Sequence, residues 1–144
     1  MTHARGVCDV AVTIRRNGHG YDVEYRASAS ERVWGHVYLT INVEVAKGQR
    51  QQLGMRWKRI RQTESNSDSE RDAEWIGCFL FDTFLRKGLQ DWLAHPSERI
   101  RIELHVDDRW LSALPWEMIC HRTNGVTRFL SREGHSVVRG LSKP

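Results

Sequence analysis

The chain has 144 residues, of which 40% are hydrophobic and 28% charged, and six residues are tryptophan. This composition fits one folded domain with a single core, and it excludes both two full domains and a wholly disordered chain. The formal net charge of +4 is modest, so only a local cluster of basic residues can argue for binding to nucleic acid or to a membrane.

Cysteine use and the apolar pattern predict a cytoplasmic protein. The three cysteines, at positions 8, 78 and 120, are odd in number and widely spaced, unlike the disulfide framework of a small secreted domain. The N-terminus lacks the charged start and apolar run of a secretory signal. The most apolar stretch, residues 75–85, has about half the ~20 residues that a membrane helix needs. It also contains Asp82.

The first 61 residues are predicted to be rich in β-structure. Apolar side chains alternate over residues 8–15 and 21–25, on either side of Asn-Gly-His-Gly, which indicates a β-hairpin. Residues 33–45 carry apolar side chains at the odd positions from 37 onward, which predicts a long strand with one buried side. A short amphipathic helix is expected after it, from the helical spacing of Leu53, Trp57 and Ile60.

A long helix is predicted over residues 67–95. Ser67 and Glu70 have the spacing of a capping box, Gly88 is expected to bend the helix, and Pro96 is expected to end it. Its apolar residues form two adjacent stripes, so we expect burial over much of its circumference. The stripes contain Ile76, Leu80 and Phe84, and Phe81, Leu85 and Trp92.

The last part of the chain, residues 99–144, is predicted to contain a strand and short elements. Residues 99–106 alternate, with Ile100, Ile102, Leu104 and Val106 inward. A helical turn is expected at residues 110–114, and short strands at 128–130 and 136–138. We therefore predict one α+β domain over residues 1–144, with an antiparallel or mixed sheet, one long packed helix and a hairpin-like C-terminal element.

Several segments resemble a signature of the CHAT-domain family. These are Leu-Pro-Trp-Glu-Met-Ile at 114–119, Phe-Leu-Ser at 129–131 and Ser-Val-Val-Arg at 136–139. The usual family forms are L-P-W-E-L-L, F-L-A-L-S and a small apolar run ending in Arg. The alternating strand and Ile-Gly-Cys-Phe-Leu-Phe at 76–81 also match, so the resemblance covers most of the chain, most closely from residue 76 onward. Cys120-His121 departs from it, because a Tyr-Asp pair is frequent there.

The resemblance implies a role beside a peptidase. CHAT proteins are similar to caspases and separase, and they use a His in an H-G motif and a Cys at the end of a later strand, both downstream of the position of Arg139. We find no such pair here. The resemblance therefore implies a non-catalytic module that contacts a caspase-like core, in the same or a separate chain, in a bacterial defence or signalling system.

Four residues are the structural or interface candidates that this resemblance implies: Pro115, Trp116, Glu117 and Arg139. A carboxylate after Pro-Trp in an apolar setting would be buried only if it were paired, because an unpaired buried charge is costly. We therefore hypothesise that Glu117 and Arg139 are linked, within this module or across to the catalytic core.

No residue is predicted to be catalytic, and neither a cofactor nor a metal is expected. Cys120 and His121 are adjacent, but neighbours on an extended segment point to opposite faces, which favours a packing cysteine beside a surface histidine. His19 lies in a Gly-His-Gly sequence between two strands, where a turn is the better interpretation. The cysteines and histidines also lack the spacing of a zinc site.

An alternative function comes from a basic segment that contains one tryptophan. It could contact phosphate and stack a base, which would make the chain an independent module that binds nucleic acid or an acidic protein. The acidic residues between 64 and 74 could neutralise this segment. Its members are Arg50, Arg56, Trp57, Lys58, Arg59 and Arg61.

Overall fold

The computed structural model describes residues 7–28, 34–62, 67–94 and 99–140. The described chain forms a five-stranded mixed sheet and a separate two-stranded antiparallel hairpin. One hydrophobic core, to which strands and helices both contribute, contains side chains from β1 through to residue 130. The strands are β1 (Val7–Asn17), β2 (Gly20–Ser28), β3 (Trp34–Glu44), β4 (Arg99–Asp107), β5 (Cys120–Thr123), β6 (Val126–Phe129) and β7 (Ser136–Arg139). The helices are α1 (Lys47–Gln62), α2 (Ser67–Leu80), α3 (Gln90–Ala94) and α4 (Arg109–Ser112).

The predicted N-terminal hairpin is present. β1 and β2 pair antiparallel up to Asn17 and Gly20, so that only Gly18 and His19 form the turn. Val10, Val12 and Ile14 of β1 are buried in the core, and so are Tyr21, Val23 and Tyr25 of β2. The His-Gly sequence in this turn is therefore a strand connection, and His19 is exposed.

β3 is an edge strand, and it is less buried than its sequence pattern predicts. The order of the sheet is β3-β2-β1-β4-β7, so among the described strands β3 has a neighbour on one side only. The inward residues Leu39, Ile41 and Val43 are half-buried, and Val37 is exposed. The register shifts between Tyr25 and Arg26 of β2. This irregularity leaves Tyr38 as an extra residue, which breaks the alternation.

The other half of the sheet is parallel, which the sequence did not specify. β4 pairs with β1 in parallel, and β7 pairs with β4 in parallel. Ile100, Ile102 and Leu104 are buried as predicted. The chain between β1 and β4 includes α1 to α3, as a crossover between parallel strands requires. The expected hairpin near the C-terminus is also present, as β5 and β6 joined at Asn124 and Gly125.

The predicted long helix is present over the described residues 67–94, but it is not a regular α-helix. α2 is followed by a π-helical turn at Phe81–Leu85 and by a 3-10 turn at Lys87–Leu89. The departure therefore begins before Gly88. Carbonyl groups in this region accept side-chain hydrogen bonds, from the Tyr25 hydroxyl to Phe84 and from the Tyr38 hydroxyl to Gly88 at 2.7 Å.

The two other predicted helical segments, α1 and α4, are also present. α1 has 16 residues, longer than the short helix expected, and Leu53 is fully buried while Trp57 and Ile60 pack against the core. The expected helical turn is α4. The Ser67 side chain and Pro96 lie outside what is described. Among the described helices, none has the length and apolar character needed to cross a membrane.

α2 lies very close to the chain around β5, and Gly77 permits this approach. A Cβ atom at Gly77 would lie 2.2 Å from the Met118 carbonyl oxygen and 2.9 Å from the Cys120 Sγ. Both distances are below any tolerable contact, and the carbonyl belongs to the backbone. A side chain at this position would therefore push α2 away from the Met118–Cys120 segment.

We predict that Gly77→Ala lowers the free energy of unfolding by about 1–3 kcal/mol, the usual cost of overpacking. Gly54→Ala is the matched control, because Gly54 is also helical but a Cβ there meets nothing within 4 Å. That change should raise stability by roughly 0.5–1 kcal/mol through helix propensity. Urea unfolding of both variants provides the test. Equal effects of the two changes would contradict the close packing at Gly77.

Two imidazole rings pack against Trp92 in the core. The ring centroids of His121 and His135 lie 5.8 Å and 4.9 Å from that of Trp92. The prediction of a surface His121 is wrong: the residue is 4% exposed, because its strand lies against the helical segment. The backbone N–H of Ile100 donates to His135 Nδ1 at 3.1 Å. Burial lowers the pKa of both histidines.

We predict that stability falls as the pH drops below about 6.5, the unperturbed histidine pKa. The unfolded chain binds protons there more readily than the folded one, so its free energy falls relative to the folded state. His135→Gln keeps an acceptor without the titration and should reduce this loss, whereas His19→Gln in the exposed turn should not. The test is to measure the urea midpoint of the wild type and of both variants between about pH 7.5 and about pH 5. Equal pH slopes for wild type and His135→Gln would refute the prediction.

Candidate functional site

The Pro-Trp-Glu element follows β4 and is fixed by local hydrogen bonds. Asp108 caps α4, where its carboxylate accepts from the Leu111 N–H at 3.1 Å. The same carboxylate accepts from the Tyr21 hydroxyl at 3.1 Å, which ties α4 to the sheet. Pro115 then precedes a 3-10 turn of Trp116–Met118. The chain between β4 and Trp116 is thus held in place by the contacts of Asp108.

Trp116 and Pro115 are structural residues of the core. Both are buried, and Trp116 is 0% exposed. The indole N–H donates to the Leu111 carbonyl at 2.9 Å, and the ring makes an edge-to-face contact with Phe84 at 5.7 Å between centroids. Neither residue can contact a partner while this fold is intact, so their contribution is to shape the turn.

Arg139 clamps this turn from the end of β7. Its Nε donates to Glu117 Oε1 at 2.8 Å, and a second nitrogen lies 3.3 Å from Oε2, a bidentate pair. The guanidinium also donates to the carbonyls of Ser112 and, at 2.9 Å, of Leu114. The hypothesised link between Glu117 and Arg139 is therefore confirmed within this module. Arg139 also lowers the pKa of the Glu117 carboxyl.

The pair of Glu117 and Arg139 lies at the surface and is not buried. The Glu117 side chain is 58% exposed, and that of Arg139 is 43% exposed. The 3-10 turn directs Trp116 into the core, which leaves the next residue on the surface. Water therefore screens the charge pair, and the two carbonyl contacts of Arg139 are the more important part of the clamp.

The clamped strand β7 forms one edge of the sheet, and no described strand lies beyond it. The Gly140 N–H donates to the Leu104 carbonyl at 2.7 Å, toward β4. Since successive peptide groups in a strand point to opposite sides, the backbone polar groups of Val137 and Arg139 point to the free edge. Val138 is 37% exposed beside them.

The basic segment lies on α1, where most of its cations contact side chains of the same chain. Arg56 and Arg59 donate to the buried carboxylate of Asp72, at distances of 2.6–3.0 Å. Arg50 lies over the Trp110 ring at 4.4 Å. Arg56 also lies over Trp75 and Arg61 over Trp57, while Lys58 is exposed. The expected neutralisation by the following acidic residues occurs through Asp72.

Cys120 and His121 point to different surroundings. The Cys120 sulfur is buried against α2, 3.2 Å from the Cys78 sulfur, whereas the His121 ring contacts Thr123 and Trp92. The expectation of a packing cysteine is confirmed. The pair of Cys78 and Cys120 is not predictable from the sequence, because 42 residues separate them and only the docking of α2 on β5 joins them.

No three His, Cys, Asp or Glu residues within the described ranges are grouped so that they could hold a metal ion. No protein-family model matches the chain, and no curated protein or solved structure is significantly similar to it. The resemblance to CHAT proteins therefore rests on the motifs of the sequence alone.

We predict that Glu117→Gln lowers the free energy of unfolding by less than about 1 kcal/mol, because the ion pair is screened by water. Arg139→Met should cost about 1–2 kcal/mol, because the carbonyls of Ser112 and Leu114 also lose a donor. The matched control is Arg128→Met, which removes only the exposed pair with Glu133 and should cost less than about 0.5 kcal/mol. Denaturant unfolding measures all three. A larger loss for Glu117→Gln than for Arg139→Met would contradict the clamp described above.

Proposed function

We propose that this chain is a non-catalytic scaffold and regulatory module of a CHAT-type, caspase-like cysteine peptidase. Its partner is the catalytic core, in the same or a separate chain, in the cytoplasm of a bacterium that uses the system for defence or signalling. The observation that carries the proposal is the free edge of β7, a parallel strand fixed in place by Arg139 next to the Pro-Trp-Glu turn. Two parts of the CHAT-like signature, the Pro-Trp-Glu turn and Arg139 of β7, are therefore in contact at this edge of the sheet.

A parallel edge strand of this kind is a template for a further strand. The unpaired N–H and C=O groups on its outer side can pair with an added strand and extend the sheet. β1, β4 and β7 already run parallel in that order, so an added strand would continue a parallel sheet. We propose that a strand of the caspase-like core binds here.

The opposite edge of the sheet is less suited to such pairing. β3 pairs antiparallel with β2, and its register is broken at two places near Tyr25 and Arg26. Bulges of this kind twist an edge and hinder the addition of a strand. β7 pairs with β4 through four consecutive residue pairs without a shift in register. The difference between the two edges favours β7 as the docking strand.

The way in which β7 is held also supports the proposed regulatory role. The strand has only four paired residues, and Arg139 fastens its end to α4 and to the Pro-Trp-Glu turn. A movement of that turn would therefore shift the strand on which the core docks. We propose that an activating signal reaches the core by this route.

The second candidate, binding of nucleic acid by the basic segment, has less support. Arg56 and Arg59 are already bound to Asp72, and Arg50 is stacked on Trp110. Phosphate would have to compete with these contacts. The two candidates differ in salt dependence, because phosphate binding weakens steeply with ionic strength, whereas strand pairing on an apolar core does not.

The test is amide hydrogen exchange detected by NMR. It is measured on the chain alone and on the chain mixed with the core polypeptide, which carries the His-Gly motif and the cysteine-bearing strand. We predict that the amides of Val137 and Arg139 exchange at least about tenfold more slowly in the complex, because they gain hydrogen bonds. The amides of Val138 and Gly140, already directed at β4, should change less. β3 is the control edge and should not change.

A second measurement, the affinity of variants for the core, tests whether the core binds at β7. Arg139→Met should weaken binding of the core by at least about tenfold, which corresponds to about 1.4 kcal/mol, whereas Arg128→Met should leave it unchanged. Protection of β3 in place of β7, or no complex at all, would overturn the proposal. So would cleavage of a peptide by the purified chain on its own.

A further inference from the structure

The two described cysteines form a thiol pair between α2 and β5. Their sulfur atoms lie 3.2 Å apart, compared with about 2.05 Å in a disulfide. The close approach of α2 at Gly77 brings them together, because the residue before Cys78 touches Met118 and Cys120. A shift of about 1 Å in the sulfurs would allow a bond. The packing of α2 against β5 therefore holds the two thiols close to each other.

The two thiols differ in access and in acidity. Cys78 is half-buried and Cys120 is fully buried. The S–H group of Cys120 can donate to the Cys78 sulfur, which lowers the pKa of Cys78, while the same contact and burial raise the pKa of Cys120. The accessible thiol is thus the more readily ionised one, and a thiolate is the form that reacts.

Cys78 also borders an open cavity that a small molecule can enter. The cavity has a volume of about 480 Å³ and is lined by Arg71, Trp75, Cys78, Phe79 and Arg122, among others. This volume lies in the range of small-ligand sites. The rings of Trp75 and Phe79 are stacked, with 5.4 Å between centroids, and form a firm apolar wall. A reagent in this cavity would meet Cys78 before Cys120.

We infer that Cys78 and Cys120 are a reversible dithiol site, at which Cys78 attacks a low-molecular-weight disulfide and Cys120 then completes an internal disulfide. The Cys78 thiolate displaces one thiolate of the small disulfide and forms a mixed disulfide with the other half. Cys120 loses its proton to solvent, attacks the Cys78 sulfur and displaces the second small thiolate. The protein is oxidised by two electrons, and one small disulfide is reduced to two thiols.

The order of the two attacks follows from the site. Once Cys78 is in the mixed disulfide it no longer carries a charge, so the hydrogen bond to its thiolate and the like-charge repulsion, which both contribute to the raised pKa of Cys120, are removed. Cys120 is then the nearest thiol to the bond to be broken. Disulfides in reducing compartments are usually transient or redox-sensing, and the product would tie α2 to the strand that follows the Pro-Trp-Glu turn. The inference does not depend on the proposed peptidase partner.

The experiment uses the full chain with Cys8→Ser, which removes the third thiol, and oxidised glutathione as the probe. Intact mass should show the loss of two hydrogen atoms, and peptide mapping should show a link between Cys78 and Cys120. With Cys120→Ser added, the reaction should stop with one glutathione on Cys78. With Cys78→Ser added, modification should be at least about tenfold slower, since only the buried thiol remains.

Thermal unfolding tests whether the bond fits the native fold. The link closes a loop between residues 42 positions apart, so the Tm of the oxidised protein should rise by roughly 5–10 °C and return after reduction. A fall in Tm would overturn the inference, as it would show that the sulfurs bond only after distortion. Equal reaction rates for the Cys78→Ser and Cys120→Ser variants, or links between molecules in place of the internal one, would also overturn it.

Discussion

The fold depends on the burial of one helical segment between two partners, and both partners meet at Phe84. Its ring makes edge-to-face contacts with Tyr21 of β2 and with Trp116 of the Pro-Trp-Glu turn, each with 5.7 Å between centroids. Apolar burial and aromatic packing therefore join the N-terminal sheet to the C-terminal part of the chain through this residue. The Phe84 carbonyl lies in the π-helical turn and accepts a hydrogen bond from the Tyr25 hydroxyl.

The segment from α4 to β5 is consequently held from three directions. Phe84 packs on Trp116 from the helix, Arg139 binds Glu117 and nearby carbonyls from β7, and Cys78 touches Cys120 from α2. All three contacts fall on one short stretch of chain, between residues 112 and 120. The proposed docking strand and the proposed dithiol site therefore act on the same segment, although each rests on separate observations.

The arginines of α1 mainly make contacts within the molecule. The cluster on α1 stands out in the sequence, yet its arginines hold α1 on α2 through Asp72, which is 2% exposed and accepts from Arg56 and Arg59. A buried carboxylate needs such partners, because an unpaired one would lose too much hydration. The arginines therefore pair α1 with α2, which leaves the β7 edge as the better-supported surface for a partner.

The sequence by itself determined most of the elements. The hairpin, the long helix, the β4 strand and the short C-terminal strands follow from apolar periodicity and turn residues, because these are local properties. The link between Glu117 and Arg139 was predicted from the CHAT-like motif. Local patterns in the sequence do not give a contact between residues so far apart. Tertiary structure decided the parallel placement of β4 and β7, the bulge at Tyr38 and the burial of His121, since each depends on which element becomes the neighbour. It also decided the contact of Cys78 with Cys120, because only the packing at Gly77 brings two residues so distant in sequence together.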